Sequence, residues 1–149
     1  MALGEVVQYF QIAAYLAAAF GIIFTSINYF NANKIKRGEW MKSLFEKFYE
    51  SSYFKSVRRE IEYDNITHFL ALDSKGVACN QENEELLVDY LNFFELLATL
   101  IKYKHIRRKE AVDLFGYYID SLQRNAFIKQ YATQFYFKNL CTLLNEASQ

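Results

Sequence analysis

The chain has 149 residues, of which 52% are apolar and 18% aromatic, with five glycines and no proline. So few turn formers exclude a hairpin-built β architecture and point to an all-α chain of one small unit. Seventeen basic side chains balance seventeen acidic ones, so no net field steers a polyanion to the molecule as a whole.

The first element is a run without any charge, VVQYFQIAAYLAAAFGIIFTSINYFNAN, 28 residues between Glu5 and Lys34. As a helix it would extend about 42 Å at 1.5 Å per residue, more than the roughly 30 Å of hydrocarbon in a bilayer. A transmembrane helix is expected over Val6 to Phe30. Ala17-Ala18-Ala19 resembles a signal-peptide cleavage site. No basic residue precedes the run, however, and cleavage there would leave FGIIFTSINYF on the mature protein, so a retained anchor is expected.

Every Lys and Arg follows the run, with Lys34, Lys36, Arg37 and Lys42 immediately beyond it. The positive-inside rule then places a short N-terminus outside and the rest in the cytoplasm, with the span in the inner (plasma) membrane. Residues 1–33 form the anchor and 34–149 a cytosolic helical domain of four to five helices. Tyr29, Phe30 and Trp40 suit the inner interface. Cys79 and Cys141 have no metal-ligand spacing and suit reduced thiols in a cytosol.

Within the span, Ala13, Ala17, Gly21 and Thr25 recur every four residues. Such a small-residue stripe lets two helices approach closely in lipid, where packing drives association. A homo-oligomer through this stripe is expected, with Gln8, Gln11 and Asn28 as polar groups near its ends.

The next stretch, RGEWMKSLFEKFYESSYFKSVRREIEY, keeps apolar residues at helical spacing from Trp40 to Ile61 and reads as one helix, with Gly38 a weak point where it can bend. Asp64-Asn65 marks a break before the short piece ITHFLAL. DSKGVACNQENE, around Gly76, is a loop. A helix over about 84 to 103 follows. Asp89 and Glu95 within it would each cost about 2.5–3.5 kcal/mol in hydrocarbon, so it is a core helix and not a second span. Asp89, Asn92, Glu95, Thr99 and Lys102 share one side, and Asn92 with Glu95 is expected as a buried polar stripe. The connection KHIRR leads to a helix RKEAVDLFGYYIDSLQ, and FIKQYATQFYFKNLCTLLNEA reads as one final helix.

The stretch LVDYLNFFELLATLIKYKHIRRKEAVDLFGYYI, Leu87 to Ile119, resembles the signature of an uncharacterised bacterial family, filed as a domain of unknown function. Its members are short single-span proteins with a cytosolic helical domain. The pattern is an apolar helix with Asn and Glu three apart, a short connection, and a helix with an aromatic near its middle. Asn92, Glu95 and Phe115 stand in those places. The connection here is basic where that pattern has a Gly or Asp turn. The resemblance implies topology and fold, and no activity.

Candidate chemistry is sparse. Glu95, flanked by Phe93, Phe94, Leu96 and Leu97, has the setting in which a general acid is made, though such a Glu more often pairs with an Arg of a neighbouring helix or lies on the wetter stripe with Asn92. His68 and His105 have no convincing partner, and Asp64 with His68 makes no metal site. Ser52-x-x-Lys55 stands without the other elements of the penicillin-binding enzymes. No phosphate loop is present, and no cofactor is expected. Lys102, Lys104, Arg107, Arg108 and Lys109 form a basic cluster that reads first as a solvated connection. Anionic lipid is its second reading and nucleic acid its third.

The expected function is a membrane-anchored helical protein, not an enzyme, that binds a cytosolic protein partner or itself. A sharper form is a self-assembling effector that perturbs the bilayer, as small anchored proteins of bacterial phage-defence systems do. The alternative is a membrane-surface enzyme with Glu95 as acid or base.

Overall fold

The computed structural model describes residues 3–73 and 78–146, with side chains at residue 8 and from 11 onward within those ranges. The described residues form seven helices and no strand, with one isolated bridge between Leu72 and Ala78. Of the expected loop over 73–84, residues 74–77 lie outside the described residues, and Gln81–Glu84 are instead the first turn of a helix, α4 (Gln81–Lys102), because the Asn80 side chain accepts the Asn83 N–H at 3.2 Å and caps it. The chain divides into two units, Met1–Trp40 and Met41–Gln149.

Helix α1 covers Leu3–Glu50, and its backbone is unbroken at Gly38. Every described side chain in 11–36 is exposed. This stretch is long and apolar enough to cross a membrane, and none of its apolar window is buried.

In the second unit the end of α1 is followed by α2 (Ser52–Glu62), α3 (Ile66–Phe69), α4 (Gln81–Lys102), α5 (Arg108–Arg124), α6 (Ala126–Gln134) and α7 (Lys138–Glu146). That is more than the four to five helices expected, because two stretches read as single helices are each divided. The first breaks at Ser51, whose hydroxyl accepts the Phe54 N–H at 3.3 Å and caps α2. The second breaks at 135–137.

Four helices end by the same device. Asp64, Ala71, Lys104 and Tyr136 have φ of 52°, 48°, 60° and 62°. Each sits just past a helix C-cap, with paired backbone bonds closing the end. Lys104 donates to the Ile101 carbonyl at 2.9 Å and His105 to that of Leu100 at 2.9 Å. Tyr136 and Phe137 donate in the same way to Thr133 and Ala132. This is the Schellman arrangement, usually completed by glycine because the left-handed conformation crowds a Cβ. None of the four residues here is glycine.

The core of the second unit is aromatic at its centre. Phe48, fully buried, has the rings of Tyr118, Phe93, Phe115, Phe94, Tyr90 and Phe54 at 4.8, 5.0, 5.3, 5.7, 5.9 and 6.0 Å. Most of these contacts are edge-on or tilted, as the ring quadrupole favours. Helix α4 supplies Leu87, Tyr90, Leu91, Phe93, Phe94, Leu97 and Ala98 to the interior, which accounts for its apolar length without a bilayer.

Candidate functional site

The stripe of the first unit is exposed throughout at Ala13, Ala17, Gly21 and Thr25. It is not one straight face. A four-residue repeat advances 40° per step on a 3.6-residue helix, so Ala13 and Thr25 lie about 120° apart. The groove on this helix is lined instead by Ala18, Gly21, Ile22, Thr25, Ser26 and, at one end, Tyr29 and Phe30, and has a volume of about 550 Å³. Ala14, Ala18, Gly21 and Thr25 fall within an arc of about 60° and make the narrower small-residue face. A Cβ on Gly21 would meet nothing within 4 Å. The Thr25 and Ser26 hydroxyls donate to the Gly21 and Ile22 carbonyls at 2.8 Å each. They are therefore satisfied within their own helix, and their contribution to the face is small size.

The polar stripe of α4 is not buried as a unit. Asn92 is exposed, on the side of α4 away from the buried Leu91, Phe93 and Phe94, whereas Glu95 and Thr99 are half-buried. What covers them is the start of α7. Glu95 Oε1 accepts the Asn139 backbone N–H at 3.1 Å and its side-chain amide at 2.8 Å, and Oε2 accepts the Leu140 N–H at 2.7 Å. The Asn139 amide also reaches Thr99 Oγ1 at 2.9 Å, while Lys102 Nζ donates to Asn139 Oδ1 at 3.0 Å. Phe137, which precedes α7, has no side-chain acceptor. A carboxylate from α4 fills the N-cap role, where negative charge is also favoured by the helix dipole. Glu95 thus has a capping role, and it does not line the neighbouring pocket of about 200 Å³ between α4 and α7.

The basic cluster divides. Lys102 is held by Asn139 and Arg108 pairs with Glu146. Arg107 stands at the α5 N-cap position and its backbone N–H donates to Glu110 Oε2 at 3.0 Å. This is half of a capping box, since a guanidinium has no acceptor for the other half. Lys104 and Lys109 are exposed. Asp64 is bound by the Asn125 amide at 2.8 Å, and among the described residues no group of three His, Cys, Asp or Glu is placed to hold a metal.

A feature not anticipated from the sequence lies on α2. Its buried residues are Phe54, Val57, Arg58 and Ile61, spaced i, i+3, i+4, i+7, so a cation occupies a core position. The Arg58 guanidinium carbon lies 4.7 Å from the Phe48 ring centre, 5.1 Å from that of Tyr49 and 5.5 Å from that of Tyr118. Such contacts contribute about 0.5–2 kcal/mol. Arg58 Nη1 is sealed from solvent without a hydrogen-bond partner, which costs about 1–3 kcal/mol or more for a charged donor. Burial, then its bond with Tyr49, raises the pKa of the Tyr118 hydroxyl. Tyr118 therefore stays neutral and supplies no counter-charge. Arg58 also lines an open cleft of about 570 Å³. Its signal in the sequence is an Arg at the i+4 position of an apolar helical repeat.

No family model, curated protein or solved structure matches the chain, so the site stands on its own geometry.

Proposed function

We propose that this chain is a membrane-anchored interaction protein, with the N-terminal part of α1 spanning the bacterial inner membrane and the helical unit on the cytoplasmic side. The observation that carries this reading is the apolar helix within 11–50, with none of its membrane-length window buried. Ile12, Leu16, Phe20, Ile23 and Ile27 are each at least 47% exposed, which is the surface a helix presents to lipid or to another helix. The basic residues Lys34, Lys36, Arg37 and Lys42 immediately after the run support a cytoplasmic position for that end of the span.

The span further assembles with copies of itself, through Ala14, Ala18, Gly21 and Thr25. The open space at Gly21 and the internally satisfied hydroxyls support close helix packing without interhelical hydrogen bonds. Assembly that perturbs the bilayer, of the phage-defence kind, is the sharper form of the proposal. Its test is membrane potential in bacteria induced to express the chain, beside an Ala18→Leu/Gly21→Leu variant at matched levels. Depolarisation by the parent and not the variant supports the assembling effector. Equal potentials in both, at good expression, would remove it and leave the anchored partner-binding protein.

A further inference from the structure

We propose that the cleft at Arg58 binds a phosphate-bearing ligand, with Arg58 and Lys55 on the phosphate and tyrosine rings beside it. This inference is independent of the membrane reading, because every residue it uses lies within the second unit.

The cleft is lined by Tyr49 from the end of α1, by Lys55, Arg58, Arg59 and Tyr63 of the α2 segment, and by Tyr118 of α5. Its volume falls in the range of small-molecule sites, about 300–1,000 Å³. Arg58 is only 8% exposed, and among the described residues it has no hydrogen bond or ion pair. Buried cations are ordinarily paired. This one is held in place by three ring faces, which fix a guanidinium without using its N–H donors. Nη1 is the guanidinium nitrogen sealed from solvent, so the Nε and Nη2 edge is the one left to meet two oxygens of a tetrahedral oxyanion.

Charge around the cleft agrees with an anion. Three cations face one carboxylate, Glu62, and Arg59 is already engaged by Glu60 at 3.2 Å. Lys55 and Arg58 are left to neutralise the ligand. They lie three apart on α2, so both reach the same side of one helix. The rings of Tyr49, Tyr63 and Tyr118 add flat apolar surface, which suits a ligand larger than inorganic phosphate alone. A free mononucleotide and a phospholipid headgroup both carry this chemistry.

The test titrates AMP and inorganic phosphate into the full chain held in dodecyl maltoside micelles, which carry no phosphate, read by calorimetry and tyrosine fluorescence. Parent, Arg58→Met and Lys55→Ala are compared. Saturable AMP binding is expected, weakened about tenfold or more in Arg58→Met and by a smaller factor in Lys55→Ala, which is exposed and keeps the core intact. The same titration in micelles containing phosphatidylglycerol separates the sources. Unchanged affinity identifies a free phosphate compound, and affinity suppressed about tenfold identifies a headgroup already in the cleft. Absence of AMP and phosphate binding in the phosphate-free micelles would overturn the proposal. So would binding indifferent to both substitutions.

Discussion

Glu95 Oε2 accepts the backbone N–H of Leu140 at 2.7 Å across 45 residues of sequence, so a carboxylate on one helix completes the N-terminus of another. With Asn139 bonded to the same carboxylate, it satisfies two of the α7 donors that no local side chain reaches. Glu95→Ala should destabilise the helical unit by about 1–3 kcal/mol, the cost of a charged cap. Glu95→Gln, which keeps one acceptor oxygen, should lose less. Urea unfolding followed by circular dichroism measures both. A change below about 0.5 kcal/mol for Glu95→Ala, the range of inert surface substitutions, would remove the capping role and reopen a chemical one.

The left-handed residues give a prediction of opposite sign. Lys104 and Tyr136, at φ of 60° and 62°, are exposed and hold a conformation that costs an L-residue about 1–2 kcal/mol. Glycine removes that cost and returns part of it as unfolded-state entropy. Lys104→Gly and Tyr136→Gly should therefore each stabilise the unit by about 0.5–1 kcal/mol. Their denaturation midpoints should rise, and the double variant should show the sum.

Arg58 should behave as a group kept for binding at the expense of stability. Replacing a buried, unpaired cation by an apolar chain of similar length leaves stability unchanged or raises it. Without phosphate, Arg58→Met should match or exceed the parent in a thermal melt. A loss above about 2 kcal/mol would mean that the ring contacts outweigh the buried charge.

Alkaline pH should weaken the unit. Burial raises the pKa of Tyr90 well above 10.0, raises that of Tyr118, and with the Glu84 bond at 3.0 Å raises that of Tyr131. A raised folded-state pKa means that the native state retains protons that the unfolded chain releases. Stability is then complete below about pH 10, the ordinary tyrosine value, and falls as pH rises beyond it. Melting temperatures should be flat from pH 7 to 9 and drop above about pH 10. In Tyr131→Phe the slope of that drop should be shallower.

Long, strongly periodic elements were legible before any coordinates. Helix α5, expected to start at Arg108, does so, and α4, expected over about 84 to 103, runs over Gln81–Lys102 with a buried apolar face. Helix ends were less so. The stretch 127–147 reads as one helix because its stop at Tyr136 lacks the glycine that ordinarily marks a left-handed cap. The break at Ser51 was hidden inside an unbroken run of helical spacing. Glu95 stood out as a carboxylate among apolar residues, but its partners lie on another helix, and local spacing carries no information about them. Arg58 is hard to single out because a charge among charges, in VRREIE, looks like a solvated face until the rings of α1 and α5 close over it.

The anchor itself is the claim on which the functional reading depends, and alkaline carbonate extraction tests it most directly. Membranes from bacteria expressing the full chain are washed at high pH, and the pellet protein is weighed by intact mass spectrometry. The chain should stay in the membrane pellet with residues 11–30 still attached. Release into the supernatant, or a mature chain shortened near Ala19, would contradict a retained membrane anchor.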